Sequence, residues 1–291
     1  MINKLLIYLT LGFLGIFLVG GVLLYEQRNR NTPLPATKAE SIRFTIVEGW
    51  TLEDIGKNLE KAYKQQSQQN LVTSDEFLKT AQSFKLQNFS LISKKPLNSN
   101  LEGFVFPDTY FLPKISPAET NIVAILLQKA LTNFENKITP DMFQVTPGAT
   151  KTLYEVIILA SIIEKETGRN TITAKQKQDL EIERKIIAGI FYNRLKIGMP
   201  LGSDATINYI TKKNIASVSE QDTKINSPYN TYNTKGLPPG PICNPSFSSI
   251  DAALNPTSSS YYFFLHKQPS GEVIYSRTFE EHVINKYKYL K

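Results

Sequence analysis

Hydrophobic positions along the chain fall into three kinds of run, and each kind predicts a different element. The first is continuous: Leu5–Tyr25 (LLIYLTLGFLGIFLVGGVLLY) contains no charge and is about long enough, at ~1.5 Å per residue, to cross a bilayer as one helix. The second alternates. Ile42–Val47 (IRFTIV) reads as a half-buried strand, and Glu48-Gly49 as the turn that ends it. The third recurs at helical spacing. Thr51 offers an N-cap for a helix to about Tyr63, with Leu52, Ile55, Gly56 and Leu59 on one face.

Downstream, Gln65–Asn70 is a Gln-rich stretch expected to be loop, and Thr73 or Ser74 caps a helix through Phe84. Leu101–Pro113 (LEGFVFPDTYFLP) is dense in aromatics and turn residues and reads as a packed junction between modules. Pro117–Asn136 is an amphipathic helix. Thr152–Thr167 is a nearly unbroken apolar helix opened by a potential Thr152/Glu155 capping box. Ala174–Ile197 carries a stripe of Ile182, Ile186, Ile187, Ile190, Phe191 and Leu195, expected to be core. From Gly198 to Ser260 the pattern changes to turns that retain aromatics, which marks functional or tightly packed loop. Tyr261–His266 and Val273–Arg277 flank KQPSG as a hairpin, and a helix closes the chain over Thr278–Tyr289. There is no internal repeat and no βαβ alternation, so the fold class is α+β.

The chemistry concentrates at the end of the apolar helix, YEVIILASIIEKET, where Glu164 and Glu166 precede Gly168. On a helix, Glu166 lies over Ile162 and Ile163, with Leu159 two turns back. Glu164 lies over Ile157, Ala160 and Ser161, a less apolar surface. An acid over apolar surface is partly desolvated, which disfavours its charged form and makes a general acid near neutral pH. The alternative is a solvated last turn with an ordinary i,i+3 or i,i+4 ion pair.

Composition narrows the partners. The net charge of +7 over 291 residues attracts polyanions, but no RNP-like, zinc-finger or P-loop pattern accompanies it, so nucleic acid is not expected. One cysteine, Cys243, permits no intramolecular disulfide, and with two histidines, His266 and His282, it makes no Cys/His zinc site of the usual kind. No metal or cofactor is expected. Glu26, Gln27 and Arg28 follow the apolar run where a cleaved signal would place small residues, so residues 1–25 read as an uncleaved single-pass anchor and 26–41 as a linker. Lys4 on one flank and Arg28 and Arg30 on the other leave its orientation open.

Several segments resemble, in family order, the endolytic murein transglycosylases (MltG or YceG-like proteins) of bacterial peptidoglycan. They are FTIVEGWTLEDIGKNL, similar to the family's LysM-like module; LEGFVFPDTY; LASIIEKET; ERKIIAGIFYNRLKIGMPLGSDATINY; YNTYNTKGLPPGPICNP; then YYFF and FEEHVINK. The resemblance implies a LysM-like βα module over 42–100 and a mixed α+β catalytic domain over 101–291. It also implies a cell-membrane protein whose catalytic domain is extracytoplasmic. The implied activity is cleavage of the MurNAc–GlcNAc β-1,4 bond of nascent glycan strands with formation of a 1,6-anhydro end, which terminates elongation. Peptidoglycan strands, the bilayer and peptidoglycan synthases are the implied partners.

Carried onto EKET, the family's catalytic glutamate is Glu166, with Glu164 the fallback. Asp204 in GSDAT either accepts hydrogen bonds from sugar groups or caps the following helix, a role for which Ser203 competes. Asn230 and Tyr232 in YNTY offer an amide for acetamido groups and a ring face for stacking; the alternative is a turn residue beside a buried tyrosine. Asn193 and Arg194 sit at the exit of the long helix, where Arg194 is equally an ordinary C-terminal cation. His282 reads as packing. Two departures stand out. Only a short linker separates the apolar run from the first strand, which weakens the expectation of glycan grip by the LysM-like module, and GRNTITAKQKQDLEI is a polar insertion expected to be a surface loop. Two other functions fit the same residues: a hydrolytic muramidase, which needs a second carboxylate such as Glu164 or Asp204 to hold water, and a non-catalytic peptidoglycan-binding scaffold.

Overall fold

The structure, a computed structural model, describes residues 40–67, 72–114, 121–143, 151–168, 173–213, 215 and 217–290. The chain divides into two units, Met1–Glu40 and Ser41–Lys291, and the elements and site below all belong to the second. The expected anchor over 1–25 lies outside the described residues, as does nearly all of the 26–41 linker. Among the described residues no helix is long and apolar enough to cross a membrane.

The architecture is α+β, with eight helices and two small antiparallel sheets among the described residues. Strand β1 (Ser41–Thr45) alternates as its sequence predicts: Ile42 and Phe44 are buried while Arg43 and Thr45 face out. Its partner is β2 (Thr109–Pro113), with Ile42 opposite Leu112 and Phe44 opposite Tyr110. The aromatic segment read as a junction therefore holds a strand. Because β1 and β2 come from either side of position 100, the two segments share one core.

Helix α1 (Leu52–Ser67) follows β1 and is fixed to β2 by the Tyr63 hydroxyl, which donates to the Pro113 carbonyl at 2.7 Å. It runs past Tyr63 through the start of the Gln-rich stretch expected to be loop, where Glu60–Lys64 extends an i,i+4 ladder. Helix α2 (Ser74–Ser83) is capped by Thr73, and α3 (Ile122–Lys137) by Asn121; α2 packs on α1, and α3 on β2 and α2.

The catalytic-domain candidate segment is built on α4 (Leu153–Thr167), opened by the expected capping box: Thr152 Oγ1 accepts from the Glu155 N–H and Glu155 Oε2 from the Thr152 N–H. Ten of its residues are buried, Val156 to Glu164 without interruption. A helix apolar all round must be covered all round. The cover comes from α5 (Ala174–Lys196), from α7 (Phe247–Leu254) and from the Pro-rich loop, whose Ile242 N–H donates to Ser161 Oγ. Between α5 and α7 lies the short α6 (Asp204–Thr211).

Two expectations change here. The region read as turns contains α7, capped by Ser246. The polar insertion becomes helical from Ala174, forming the exposed first turns of α5. In the α5 stripe Ile187, Ile190 and Phe191 are buried, but Ile182 is 52% exposed, while Leu180 and Glu183 on either side of it are buried. Gly189 is where the chain after α7 crosses α5: a Cβ there would stand 2.1 Å from the Thr257 carbonyl oxygen. The expected hairpin forms as β3 (Phe263–His266) and β4 (Val273–Ser276), followed by α8 (Phe279–Tyr289) with Thr278 as its cap.

Candidate active site

Glu164 and Glu166 are two positions apart, so on a helix they project in different directions. Glu164 turns inward. Its Oε2 accepts the Ser246 N–H at 2.9 Å, the Ser249 hydroxyl at 2.7 Å and the Ser246 hydroxyl, and its Oε1 lies 3.5 Å from Arg184 Nη2. Arg184 is itself buried and donates from Nε to Thr167 Oγ1. Glu164 thus sits on the N-terminal cap of α7, where a carboxylate also meets the helix dipole favourably, and its acceptor capacity is taken up by protein groups.

Glu166 turns towards a cleft of about 730 Å³ whose walls include Glu48, Lys165, Arg184, Asp204, Asn208 and His266, with the engaged Glu164 at its floor. It is half-buried, with one short hydrogen bond, accepted by Oε1 from the Ser203 hydroxyl. Crowding by protein atoms pushes its carboxyl above the usual carboxylate range. The Ser203 hydrogen bond works against that rise, Asp204 adds to it, and the neighbouring His266 and Arg194 oppose it. The ranking by helix neighbours is therefore inverted for burial: Glu164 is the deeper residue. The cover over it comes from α5 and α7, which its own helix cannot reveal.

The residue that holds Glu166 is placed by a separate network. Ser203 occupies the N-cap position of α6 yet makes no side-chain capping bond, because its hydroxyl serves Glu166. Gly202, at φ +58, and Ser203 are both fixed to Thr231, through its carbonyl at 2.8 Å and its Oγ1 at 3.0 Å. Asn230, fully buried, holds that loop: its Nδ2 donates to the carbonyls of Thr223 and Ile225, and its Oδ1 accepts from the Tyr232 N–H. Nothing of the Asn230 amide remains for a ligand, so it positions the loop and does not offer a sugar contact. Tyr232 does reach the site, donating its hydroxyl to Asp204 Oδ1, with its ring 36% exposed. Asp204 lines the cleft and is the first residue of α6, with Ser203 at the N-cap position.

Asn193 lies elsewhere. Its Nδ2 donates to the carbonyls of Ser259 and Tyr261 at 2.9 Å each, tying α5 to the start of β3 and leaving it outside the cleft walls. Arg194 is no solvated end-of-helix cation: it is buried, donates to the Tyr262 and Leu201 carbonyls, and lies 5.3 Å over the Phe263 ring. Burial brings its pKa down to about 10. His282 stacks on Phe263 at 5.3 Å, as a packing residue would. Among the described residues no group of three or more His, Cys, Asp or Glu is arranged to hold a metal ion.

Sequence reasoning passed over Glu48, Lys165, Arg184 and His266 as cleft residues, and Ser203 as the partner of Glu166. Only Ser203 carried a local signal, since a serine followed by an acid at a helix start gives one of the two side chains a free role.

Comparison with known proteins bears on this arrangement. The model of the YceG-like family matches residues 27–288. The chain is 33% identical over 254 residues to the endolytic murein transglycosylase of Bacillus subtilis (strain 168), covering 86% of this chain and 66% of that one. It is 31% identical over 254 residues to the endolytic murein transglycosylase of Streptococcus pneumoniae serotype 2 (strain D39), covering 82% of this chain and 43% of that one. The chain thus spans less than two thirds of the length of these relatives. Among solved structures, a yceG-like protein of Listeria monocytogenes superposes with a TM-score of 0.68 at 27% identity, covering 91% of this chain and 80% of that one.

Proposed function

Since this chain belongs to the YceG-like family, we propose that it is a peptidoglycan lytic transglycosylase in which Glu166 is the catalytic acid and base. The observation that carries the reading is the state of Glu166: a carboxyl at the cleft surface, crowded enough to hold its proton above the usual range, with the Ser203 hydroxyl as its hydrogen-bond partner among the described residues. The names of the relatives supply the substrate class, glycan strands of murein.

The chemistry asks one residue to do two jobs. Glu166 as the acid protonates the glycosidic oxygen between MurNAc and GlcNAc, and the C1–O bond breaks towards an oxocarbenium-like state. Glu166 as the carboxylate then takes the proton of the muramyl C6 hydroxyl, whose oxygen closes on C1 to give the 1,6-anhydro end. The proton is back on Glu166 at the end and no water is consumed. Ser203 suits both halves, because a hydroxyl donates to the carboxylate and accepts from the acid.

A hydrolytic reading would need a second carboxylate to activate water. Of the two carboxylates weighed for that role, Glu164 is saturated by Ser246, Ser249 and Arg184, while Asp204 faces the cleft with one oxygen accepting from Tyr232, so the end chemistry of the products separates the two readings. The cleft adjoins a second groove of about 350 Å³, with Glu48, Gly49, Lys165, Ala205 and Asn208 common to both. An open, continued groove suits cutting within a polymer. In this reading residues 42–100 are the LysM-like module, 101–291 the catalytic domain and 1–25 the membrane anchor. The catalytic domain acts outside the cytoplasm on nascent strands, beside peptidoglycan synthases.

Mass spectrometry of uncrosslinked glycan strands incubated with the whole chain tests this, wild type beside Glu166→Gln. Fragments with anhydro ends from wild type alone are expected. Reducing muramic ends would mean hydrolysis, and cutting by both proteins would remove Glu166 from the role.

A further inference from the structure

The turn between β1 and α1 carries a carboxylate that the proton transfers of Glu166 do not use. Glu48 faces solvent in both adjoining grooves and has no hydrogen bond or ion pair of its own among the described residues. The turn beneath it is fixed from four sides. Gly49, at φ +79, donates its N–H to the Asn244 carbonyl, and the Asn244 N–H donates to the Trp50 carbonyl at 2.8 Å. Lys165 Nζ reaches the Gly49 carbonyl at 3.4 Å. Asn244 Nδ2 bonds both the Trp50 carbonyl and the buried Glu102, which also accepts the Leu52 N–H. A Cβ at Gly49 would lie 3.7 Å from both Glu164 Cγ and Lys165 Cδ. This turn is thus set directly against the acid-bearing end of α4 by the Pro-rich loop.

We propose that this turn is one wall of the active cleft and that Glu48 is a specificity-determining contact. There it accepts hydrogen bonds from hydroxyl or amide N–H groups of the sugar next to the one Glu166 serves. The inference rests on the transglycosylase reading for its substrate class. A free carboxylate on a rigid turn is acceptor-only and pre-positioned, which fits donors on a neutral sugar and lowers the ordering cost of binding. Partial burial and then the Glu164 charge raise the Glu48 pKa above the ordinary value, while Arg184 and Lys177 from α5 oppose the rise. Glu48 lines both grooves while Glu166 lines only the larger, which puts Glu48 in the neighbouring position, where the cleft continues into the second groove. Trp50 and Tyr209 line the groove beyond and offer ring faces for the continuing strand.

The test compares the whole chain as wild type, Glu48→Ala, Glu48→Gln and Glu48→Asp, by steady-state kinetics on uncrosslinked strands and by equilibrium binding to the same strands. Loss of a charge-assisted hydrogen bond predicts KM raised about tenfold in Glu48→Ala with kcat changed less than about threefold. Anhydro products, an unchanged unfolding midpoint and partial recovery in Glu48→Asp are also expected. An unchanged KM in both Glu48→Ala and Glu48→Gln would overturn the proposal, as would a fall in kcat alone. If wild type makes no anhydro ends, the function reading fails by itself. Glu48 then stands if Glu48→Ala still weakens strand binding, and falls if binding is unaltered.

Discussion

The two sides of the α4 C-terminus hold the same functional group in opposite conditions. On the inner side, Glu164 is 3% exposed and meets three donors and a buried guanidinium. On the cleft side, Glu166 is half-buried and meets one hydroxyl. Depth alone would rank Glu164 as the perturbed acid, yet the satisfied carboxylate is the structural one. What separates the two is unused hydrogen-bonding capacity facing a cleft, because a group whose lone pairs are all taken by the protein has none to offer a substrate. The same distinction divides Asp204 and Tyr232, at the cleft, from Asn230, whose amide is fully engaged, and Asn193, whose Nδ2 is committed to two carbonyls.

The largest expected effects are on the two acids themselves. Glu166→Gln should lower the rate of anhydro-end formation by about 10²–10⁴-fold, the usual share of a general acid–base group, with no loss of stability by denaturant unfolding. Glu164→Ala should do the reverse: it leaves Arg184 buried without its partner and should destabilise by about 3–5 kcal/mol, read as a fall in the urea midpoint. If Glu164→Ala folds as well as wild type and Glu166→Gln does not, the assignment of roles is reversed.

How much of this was legible in the chain depends on how local each feature is. Helix starts with a capping residue at fixed spacing, such as Thr152, and Thr73 as one of two candidates with Ser74, were readable because cap and partner lie three residues apart. So was the hairpin around KQPSG. The β1–β2 pairing was not, since Ile42 and Leu112 meet across a separation that no local pattern encodes. Nor was α7, whose eight residues follow a Pro-rich loop and show too few turns for a periodicity. At the site, Glu164 and Glu166 were legible as a pair of candidates. Their ranking came from the family resemblance. The physical reason to separate them lies in Arg184, Ser246 and Ser203, which come from three other segments.

A smaller effect checks the distinction at the loop. Asn230→Ala removes two donors from the Thr223 and Ile225 carbonyls and one acceptor from the Tyr232 N–H. The Thr223 carbonyl keeps the Asn233 amide as a donor, so the groups left unpaired are the Ile225 carbonyl and the Tyr232 N–H, at a cost of about 1–3 kcal/mol, measured by chemical denaturation. If Asn230 works only by placing Thr231 and Ser203, its variant should lose kcat in proportion to lost order while KM for the glycan stays near the wild-type value. A selective rise in KM would return it to the substrate contacts.

The smallest expected effects are shifts of the pH profile, and they test the electrostatics of Glu166 most directly. As an acid, Glu166 must be protonated to start the reaction, so kcat/KM should fall as pH rises through its raised pKa. The Ser203 hydrogen bond favours the carboxylate and lowers that pKa, while the Asp204 charge disfavours it and raises it. Ser203→Ala should therefore move the alkaline limb to higher pH, and Asp204→Asn should move it to lower pH. Stability has its own sign. A carboxyl that binds its proton more tightly folded than unfolded imposes no penalty below the unfolded value, near ~4.3, and a growing one as pH climbs to the folded value. Glu166→Gln should thus gain stability relative to wild type on going from about pH 4 to neutrality. At Glu164 the oxygens are engaged by donors that a Gln amide nitrogen cannot accept, so Glu164→Gln should lose stability at neutral pH. Opposite signs at positions two residues apart would tie the function of each carboxylate to what its oxygens touch, and equal signs would remove the electrostatic case for Glu166.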